Sequence, residues 1–235
     1  MPRPRSRVRF QSASGLTTAR VPARAVPAVD PWTAGEMFVS AHVEERRRGF
    51  AILNGAEAGR RSTLTPHLLA SRIDEPDLCL RAEIVHALSD YYEIRGREYR
   101  YPPELRGAVT SAVRKFDRPQ VQALLEVHHA GREGVVLLRP EALVRLWERL
   151  PTASPMLSRL AGDRAFPLAL RQSAVEAIGQ VGFTDARPVL EGLLTRIEGR
   201  RAGQLTMLFA PSDWPEDEGL LPALRATLTV LQEDD

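Results

Sequence analysis

The sequence predicts an all-α fold, and three observations carry the prediction. Apolar residues recur at helical spacing through most of residues 30–235. Strand-like alternation is nearly absent, and residues 134–138 (GVVLL) are the one short strand candidate. Prolines repeatedly stand where an apolar stripe begins, as is typical of a first helical turn, where the missing N–H has no partner to lose. We expect about ten helices of roughly 10–15 residues, joined by short connections that favour antiparallel pairs.

Composition sets the class of protein. The 235 residues are 43% hydrophobic and 26% charged, which is ordinary for a globular protein. No apolar run reaches the ~18 residues of a membrane-spanning helix. The single cysteine, Cys79, excludes a disulfide framework and a multi-cysteine zinc site. We expect a cytoplasmic location, with import into an organelle as the alternative.

Residues 1–29 are predicted to be a basic arm outside the folded unit, which is 30–235. The arm shows no apolar periodicity, and it has six arginines and no acid. These arginines are Arg3, Arg5, Arg7, Arg9, Arg20 and Arg24. Three interpretations stay open: a solvated tail, a segment that binds an anionic protein or nucleic acid, and a targeting segment. Residues 30–211 are almost neutral, with 25 basic and 23 acidic residues.

Two segments of the folded unit look like copies of one repeat. Residues 170–194 read LRQSAVEAIGQVGFTDARPVLEGLL, and residues 80–90 read LRAEIVHALSD, which places Arg81 in the position of Arg171. A fainter copy at 47–53 places Arg48 there, and another lies at 224–231. Gly182 is expected to end a helix in the left-handed conformation, and Thr184 or Asp185 is expected to cap the next one.

This pattern resembles a HEAT repeat of the short bacterial type, which phycobilin lyases share. The resemblance implies helix pairs that stack into an α-solenoid, since one such unit cannot bury its apolar face alone. About 200 residues at roughly 35–45 per repeat predict about four to five stacked HEAT-like helix pairs, preceded by the extended N-terminal arm. It also implies a scaffold or adaptor that holds another protein on the solenoid surface.

All four tyrosines of the chain lie in residues 91–101 (YYEIRGREYRY), together with three arginines. Tyrosine and arginine are the residue types most enriched at binding hot spots. The predicted partner-binding residues are Tyr91, Tyr92, Arg95, Arg97, Tyr99, Arg100 and Tyr101. Aromatic rings beside arginine also stack on nucleic-acid bases. The structural alternative is that the tyrosines pack on the neighbouring repeat.

Trp214 is a further predicted contact residue, because four acids and two prolines surround it within residues 200–219. Such a loop suits a basic partner or the chain's own arm. The alternative is a tryptophan that fixes a loop against the last repeat.

No catalytic, cofactor or metal site is predicted. His128 and His129 point about 100° apart on a helix, and Glu126 with His129 supplies two ligands only. The paired His-Glu motif of the HEAT-type hydroxylases and the Trp-x-x-x-Asp pattern of the HEAT-like glycosylases are both missing. We therefore expect a non-catalytic protein–protein scaffold that binds its partner through the solenoid surface, residues 91–101 and the charged termini, which are the basic arm and the acidic residues 212–235. The first alternative is a nucleic-acid or ribonucleoprotein binder that uses the arm and residues 91–101. The second is a HEAT-type enzyme, either glycosylase-like or chromophore lyase-like.

Overall fold

A computed structural model describes residues 30–55, 57–206 and 215–233. Helices dominate these residues, beside one two-stranded sheet, so the all-α prediction is confirmed. The arm 1–29 with its six arginines, and Trp214, lie outside the described residues. Within the described part of the chain, no helix combines the length and the apolar character needed to cross a membrane.

The helices follow one another with short connections. In chain order they are α1 Pro31–Phe38, α2 Val43–Gly55, α3 Glu57–Arg60, α4 Leu64–Ala70, α5 Leu78–Asp90, α6 Pro103–Val113, α7 Arg118–Arg132, α8 Pro140–Trp147, α9 Ala153–Gly162, α10 Leu168–Val181, α11 Arg187–Thr206, α12 Pro215–Glu218 and α13 Leu221–Glu233. The strands β1 Ile94–Arg95 and β2 Glu98–Tyr99 lie between α5 and α6, and a 3-10 turn, Thr184–Ala186, precedes α11.

Proline and acidic caps explain where several helices begin. Pro103 and Pro140 are the first residues of α6 and α8. The Asp77 carboxylate accepts the Leu80 N–H at the start of α5, and Asp30 accepts two N–H groups at the start of α1. At Pro103 and Pro140 the proline therefore marks a helix start, in keeping with the sequence pattern.

Helices that are two or three positions apart in chain order contact one another in a continuous series. Helix α2 contacts α5, α5 contacts α7, α7 contacts α10, and α10 contacts α13. Helix α4 also contacts α6, and α9 also contacts α11. The largest fully buried side chains include Trp147, Phe38, Leu88 and Leu124, so the apolar core runs from one end of the series to the other.

Buried arginines hold successive helices together. Arg81 on α5 donates through Nε to the Glu75 carbonyl (2.6 Å) and through Nη1 to the Glu126 carboxylate (2.6 Å). Arg171 on α10 donates through Nε to the Ala161 carbonyl (3.0 Å) and through Nη1 to the Asp217 carboxylate (2.8 Å). The two arginines thus make the same kinds of bond: one to a carbonyl before their own helix and one to a later carboxylate.

The third buried arginine is Arg46 on α2, and the exposed Arg48 does not take this position. Arg46 forms a two-point ion pair with Glu75, through Nε (2.8 Å) and Nη2 (2.6 Å). Glu75 is fully buried. Because the Glu75 carbonyl also accepts from Arg81, this one residue connects α2 with α5.

The predicted strand at residues 134–138 is wrong. Gly134 has a φ of 69°, and the N–H groups of Val135 and Val136 both donate to the Ala130 carbonyl. These bonds close the C-terminal end of α7, so the two N–H groups are already used and cannot form a strand ladder.

Gly182 ends α10 in the left-handed conformation (φ 76°, ψ 41°), as predicted, and its N–H and that of Phe183 both donate to the Ile178 carbonyl. Gly182→Ala is expected to lower the free energy of unfolding by about 1 kcal/mol, since a Cβ is strained at this φ. Urea denaturation followed by circular dichroism measures the loss. Gly107→Ala is the matched control, because Gly107 lies inside α6 with open space around it; its stability should stay equal or rise. Equal behaviour of the two variants would contradict the prediction.

Candidate functional site

Residues 91–101 form a β-hairpin that projects between α5 and α6. Strand β1 pairs antiparallel with β2, with Ile94 opposite Tyr99 and Arg95 opposite Glu98. Gly96 and Arg97 form the two-residue turn, and Gly96 has a φ of 68° whereas Arg97 has a negative φ. A glycine at the first turn position with φ > 0 is the requirement of a type II′ hairpin turn. The hairpin is a departure from the helical fold that the sequence analysis did not predict.

The first two tyrosines of this segment are core residues. Tyr91 and Tyr92 are 3% and 6% exposed. The Tyr91 hydroxyl donates to the Arg60 carbonyl (3.2 Å), and the Tyr92 hydroxyl lies 2.5 Å from the Thr110 hydroxyl. Burial raises the pKa of both phenols, which keeps their protons available for these bonds. The prediction that both side chains contact a partner is corrected here, since they pack inside the fold.

The exposed part of the hairpin combines apolar side chains with arginines and one carboxylate, that of Glu98. Ile94 is 58% exposed and Tyr99 is 40% exposed, and the two face each other across the strands. The Arg106 guanidinium stacks over the Tyr99 ring, 3.8 Å from its centroid. Such stacking holds the ring in place. Arg95 and Arg97 are also exposed.

A second exposed apolar segment, the loop 133–139, is linked to the hairpin through Asp90. Asp90, at the end of α5, forms an ion pair with Arg139 (2.9 Å) and lies 3.9 Å from the Arg100 guanidinium. Arg100 belongs to the hairpin, whereas Arg139 ends the loop 133–139. In that loop Val135 is 64% exposed and Leu137 is 95% exposed.

The exposed side chains Ile94, Tyr99, Val135 and Leu137 are together called the hairpin–loop surface below. Sequence reasoning did not single out Ile94, Val135 or Leu137, which the structure shows to be exposed. The apolar run at residues 134–138 was the signal, but it was interpreted as a strand.

His86 packs beneath this surface. Its Nδ1 accepts from the Arg139 Nε (3.2 Å), so the proton of the neutral ring is on Nε2, which donates to the Leu137 carbonyl (3.3 Å). Burial and the neighbouring Arg139 lower the pKa of His86. A neutral His86 that accepts from Arg139 fixes the start of α8 against α5.

A cleft of about 660 Å³ opens next to the hairpin. We call it the Arg60 cleft. Its lining includes Gly55, Arg60, Arg61, Arg100, Tyr101 and Glu104. Arg60 donates to the Asn54 carbonyl, and its Nη1 lies 3.4 Å from the Tyr101 hydroxyl. The Tyr101 ring packs on the Tyr91 ring, with 4.7 Å between centroids. The hairpin residues Arg100 and Tyr101 thus belong to the cleft as well.

The remaining candidate residues are not brought to this site. His128 is buried in α7, away from the surface, and His129 lies near Ser173 (3.5 Å). Within the described residues, no group of three or more His, Cys, Asp or Glu side chains is arranged to hold a metal ion.

Comparison with known proteins returns no relative. No protein-family model, no curated protein and no solved structure matches this chain. The site must therefore be interpreted from its own geometry.

Proposed function

We propose that the chain is a HEAT-type α-solenoid that acts as a non-catalytic scaffold and holds another protein on the hairpin–loop surface. The solenoid is supported by the succession of contacts α2–α5–α7–α10–α13, because stacked repeats contact their neighbours in order. The equivalent bonding of Arg81 and Arg171 further supports a repeated unit, since the two residues occupy the same position in the two clearest sequence copies.

One observation carries the proposed contact surface: the exposed Ile94–Tyr99 pair, with Arg106 stacked on the ring. Apolar side chains on a short hairpin contribute little to the core, yet here they are held in a fixed geometry. A preorganised aromatic ring loses little conformational freedom on binding, which is a property of hot-spot residues. Leu137 and Val135 extend the apolar area on the second segment that Asp90 holds.

The hairpin variant Ile94→Ser/Tyr99→Ala is expected to reduce partner capture at least tenfold. Loss of two hot-spot contacts exceeds the 1.4 kcal/mol that corresponds to one factor of ten in affinity. Because both side chains are exposed, the melting temperature should change little. The measurement is quantitative affinity capture from native lysate with the tagged full chain, combined with thermal unfolding of each variant.

The matched control is Val189→Ser/Val230→Ser. Both valines are exposed on the surfaces of α11 and α13, at 53% and 44%, so the control removes similar apolar area elsewhere. Its capture should equal that of the wild type. Equal loss in both variants, or unchanged capture in the hairpin variant, would overturn the proposed contact surface.

A further inference from the structure

The Arg60 cleft concentrates positive charge next to the proposed contact surface. Three guanidinium groups line it, from Arg60, Arg61 and Arg100, whereas Glu104 is the carboxylate among the lining residues. Arg61 already has an interaction of its own. Arg100 is partly neutralised, since Glu93 accepts its Nη1 (2.9 Å) and an Asp90 carboxylate oxygen lies 3.9 Å away. Arg60 has no such partner among the described side chains: its bonds go to a backbone carbonyl and a phenol. A half-buried cation bonded only to neutral groups attracts an anion strongly.

The geometry of the cleft is preset by the buried tyrosines. Tyr91 donates to the Arg60 carbonyl (3.2 Å), which fixes the backbone that carries the guanidinium. The Tyr101 ring stacks on Tyr91, and its hydroxyl accepts from Arg60. The Tyr101 hydroxyl still has its own proton to donate to a ligand oxygen. These contacts explain why this segment combines tyrosine with arginine although two of its rings are buried.

The start of α6 forms another wall of the cleft. Its N-cap is Pro102 and its first residue is Pro103, and no side chain caps this end. The N–H groups of Glu104 and Leu105 are therefore available at the positive end of the helix dipole. They add to the guanidinium groups as donors for carboxylate oxygens.

We propose that the Arg60 cleft binds an acidic peptide segment of the partner protein; this inference rests on the proposed scaffold function. The charge of the lining selects an anion, while Tyr101, Pro102 and Leu105 provide apolar wall that suits peptide side chains. A nucleic-acid strand would require a basic track beyond one cleft, and residues 30–211 are almost neutral in sum. Arg100 of the cleft directly follows Tyr99 of the hairpin–loop surface, so one partner chain can occupy both.

The test measures the fluorescence anisotropy of a labelled nine-residue peptide of Asp and Glu with a central Leu, titrated with the full chain. A peptide with Asn and Gln in place of the acids is the neutral probe. We expect the acidic peptide to bind and the neutral one to bind at least tenfold more weakly. Arg60→Gln/Arg61→Gln should weaken the acidic peptide at least tenfold, since charge-assisted bonds are lost.

Two further variants make this result specific to the cleft. Arg3→Gln/Arg5→Gln removes the same charge from the basic arm and should leave peptide affinity unchanged. Glu104→Gln removes the acid from the cleft and should strengthen binding about twofold or more. A gain in affinity cannot arise from misfolding, so this variant keeps the proposal testable if the double arginine variant is unstable.

Several results would overturn the proposal. They are the absence of acidic-peptide binding up to about 1 mM, loss of binding on substitution of the arm but not of the cleft, and tighter binding of a single-stranded oligonucleotide than of the peptide at the same cleft. If any one of these results is obtained while Ile94→Ser/Tyr99→Ala still abolishes partner capture, the cleft proposal fails and the scaffold function stands. If the peptide binds as expected but the hairpin variant captures its partner normally, the proposed contact surface fails instead.

Discussion

Glu75→Ala is expected to lower the free energy of unfolding by about 3–5 kcal/mol, the largest effect of any substitution considered. Glu75 is fully buried and accepts both Nε and Nη2 of Arg46, whose side chain is 10% exposed. Removal of the carboxylate leaves a buried guanidinium without its counter-charge. The Asp77 N–H, which donates to the same carboxylate (3.1 Å), also loses its acceptor. Urea denaturation of the wild type and the variant measures the difference.

The double variant Arg46→Met/Glu75→Leu separates charge from packing. It removes both charges and fills the space with apolar groups, which in other buried ion pairs restores most of the stability. We expect it to be at least 2 kcal/mol more stable than Glu75→Ala alone, in keeping with the cost of an isolated buried charge. A Glu75→Ala variant within about 1 kcal/mol of the wild type would show that the ion pair does not hold α2 to α5.

Acidification from pH 6.5 to pH 4 is expected to remove about 3 kcal/mol of stability through His128 alone. His128 is 5% exposed, and its Nε2 has no hydrogen-bond partner within the described residues. Burial, and then the nearby Arg132 and His129, lower the pKa of His128 to about 4. In the unfolded chain its pKa is about 6.5. Between these two values the unfolded state binds the proton and the folded state does not, so stability falls as the pH falls.

His128→Leu isolates this effect, because leucine fills the site without a group to protonate. The measurement is the free energy of unfolding of the wild type and the variant at pH 7, 6, 5 and 4.5. The difference between the two proteins should grow in favour of the variant as the pH falls. The other titrating groups, among them His86 and the paired carboxylates, are present in both proteins and cancel in this difference. A difference that stays constant with pH would contradict the burial of a neutral His128.

Local signals in the sequence were sufficient for the helices and for one of their ends. Proline at a helix start and glycine in the left-handed conformation act within a few residues. Gly182 was predicted correctly, and Pro103 begins α6 in keeping with the proline pattern. The equivalence of Arg81 and Arg171 also follows from the sequence, because each residue occupies the same position in a clear copy of the repeat pattern. In the fainter copy the same alignment selected Arg48, two residues away from the buried Arg46.

The hairpin could not be predicted in the same way, because two-residue strands are too short to show alternation. Burial of Tyr91 and Tyr92 depends on Arg60 and Thr110, which are 31 and 18 residues distant in the chain. Composition alone therefore left both interpretations, partner contact and packing in the fold, open for all four tyrosines. The Arg60 cleft arises from α3, the hairpin and α6 together, and no single segment of sequence contains it.

The measurement that tests the scaffold function most directly is affinity capture with the tagged full chain, with and without nuclease treatment of the lysate. A tagged variant serves as a second bait in parallel. In this variant glutamine replaces the six arm arginines, Arg3, Arg5, Arg7, Arg9, Arg20 and Arg24. Mass spectrometry then identifies and quantifies the proteins that co-purify. The proposed function predicts one protein in stoichiometric amount that survives nuclease. Loss of all co-purifying protein on nuclease treatment, and equally on substitution of the arm, would contradict the scaffold and indicate a nucleic-acid binder.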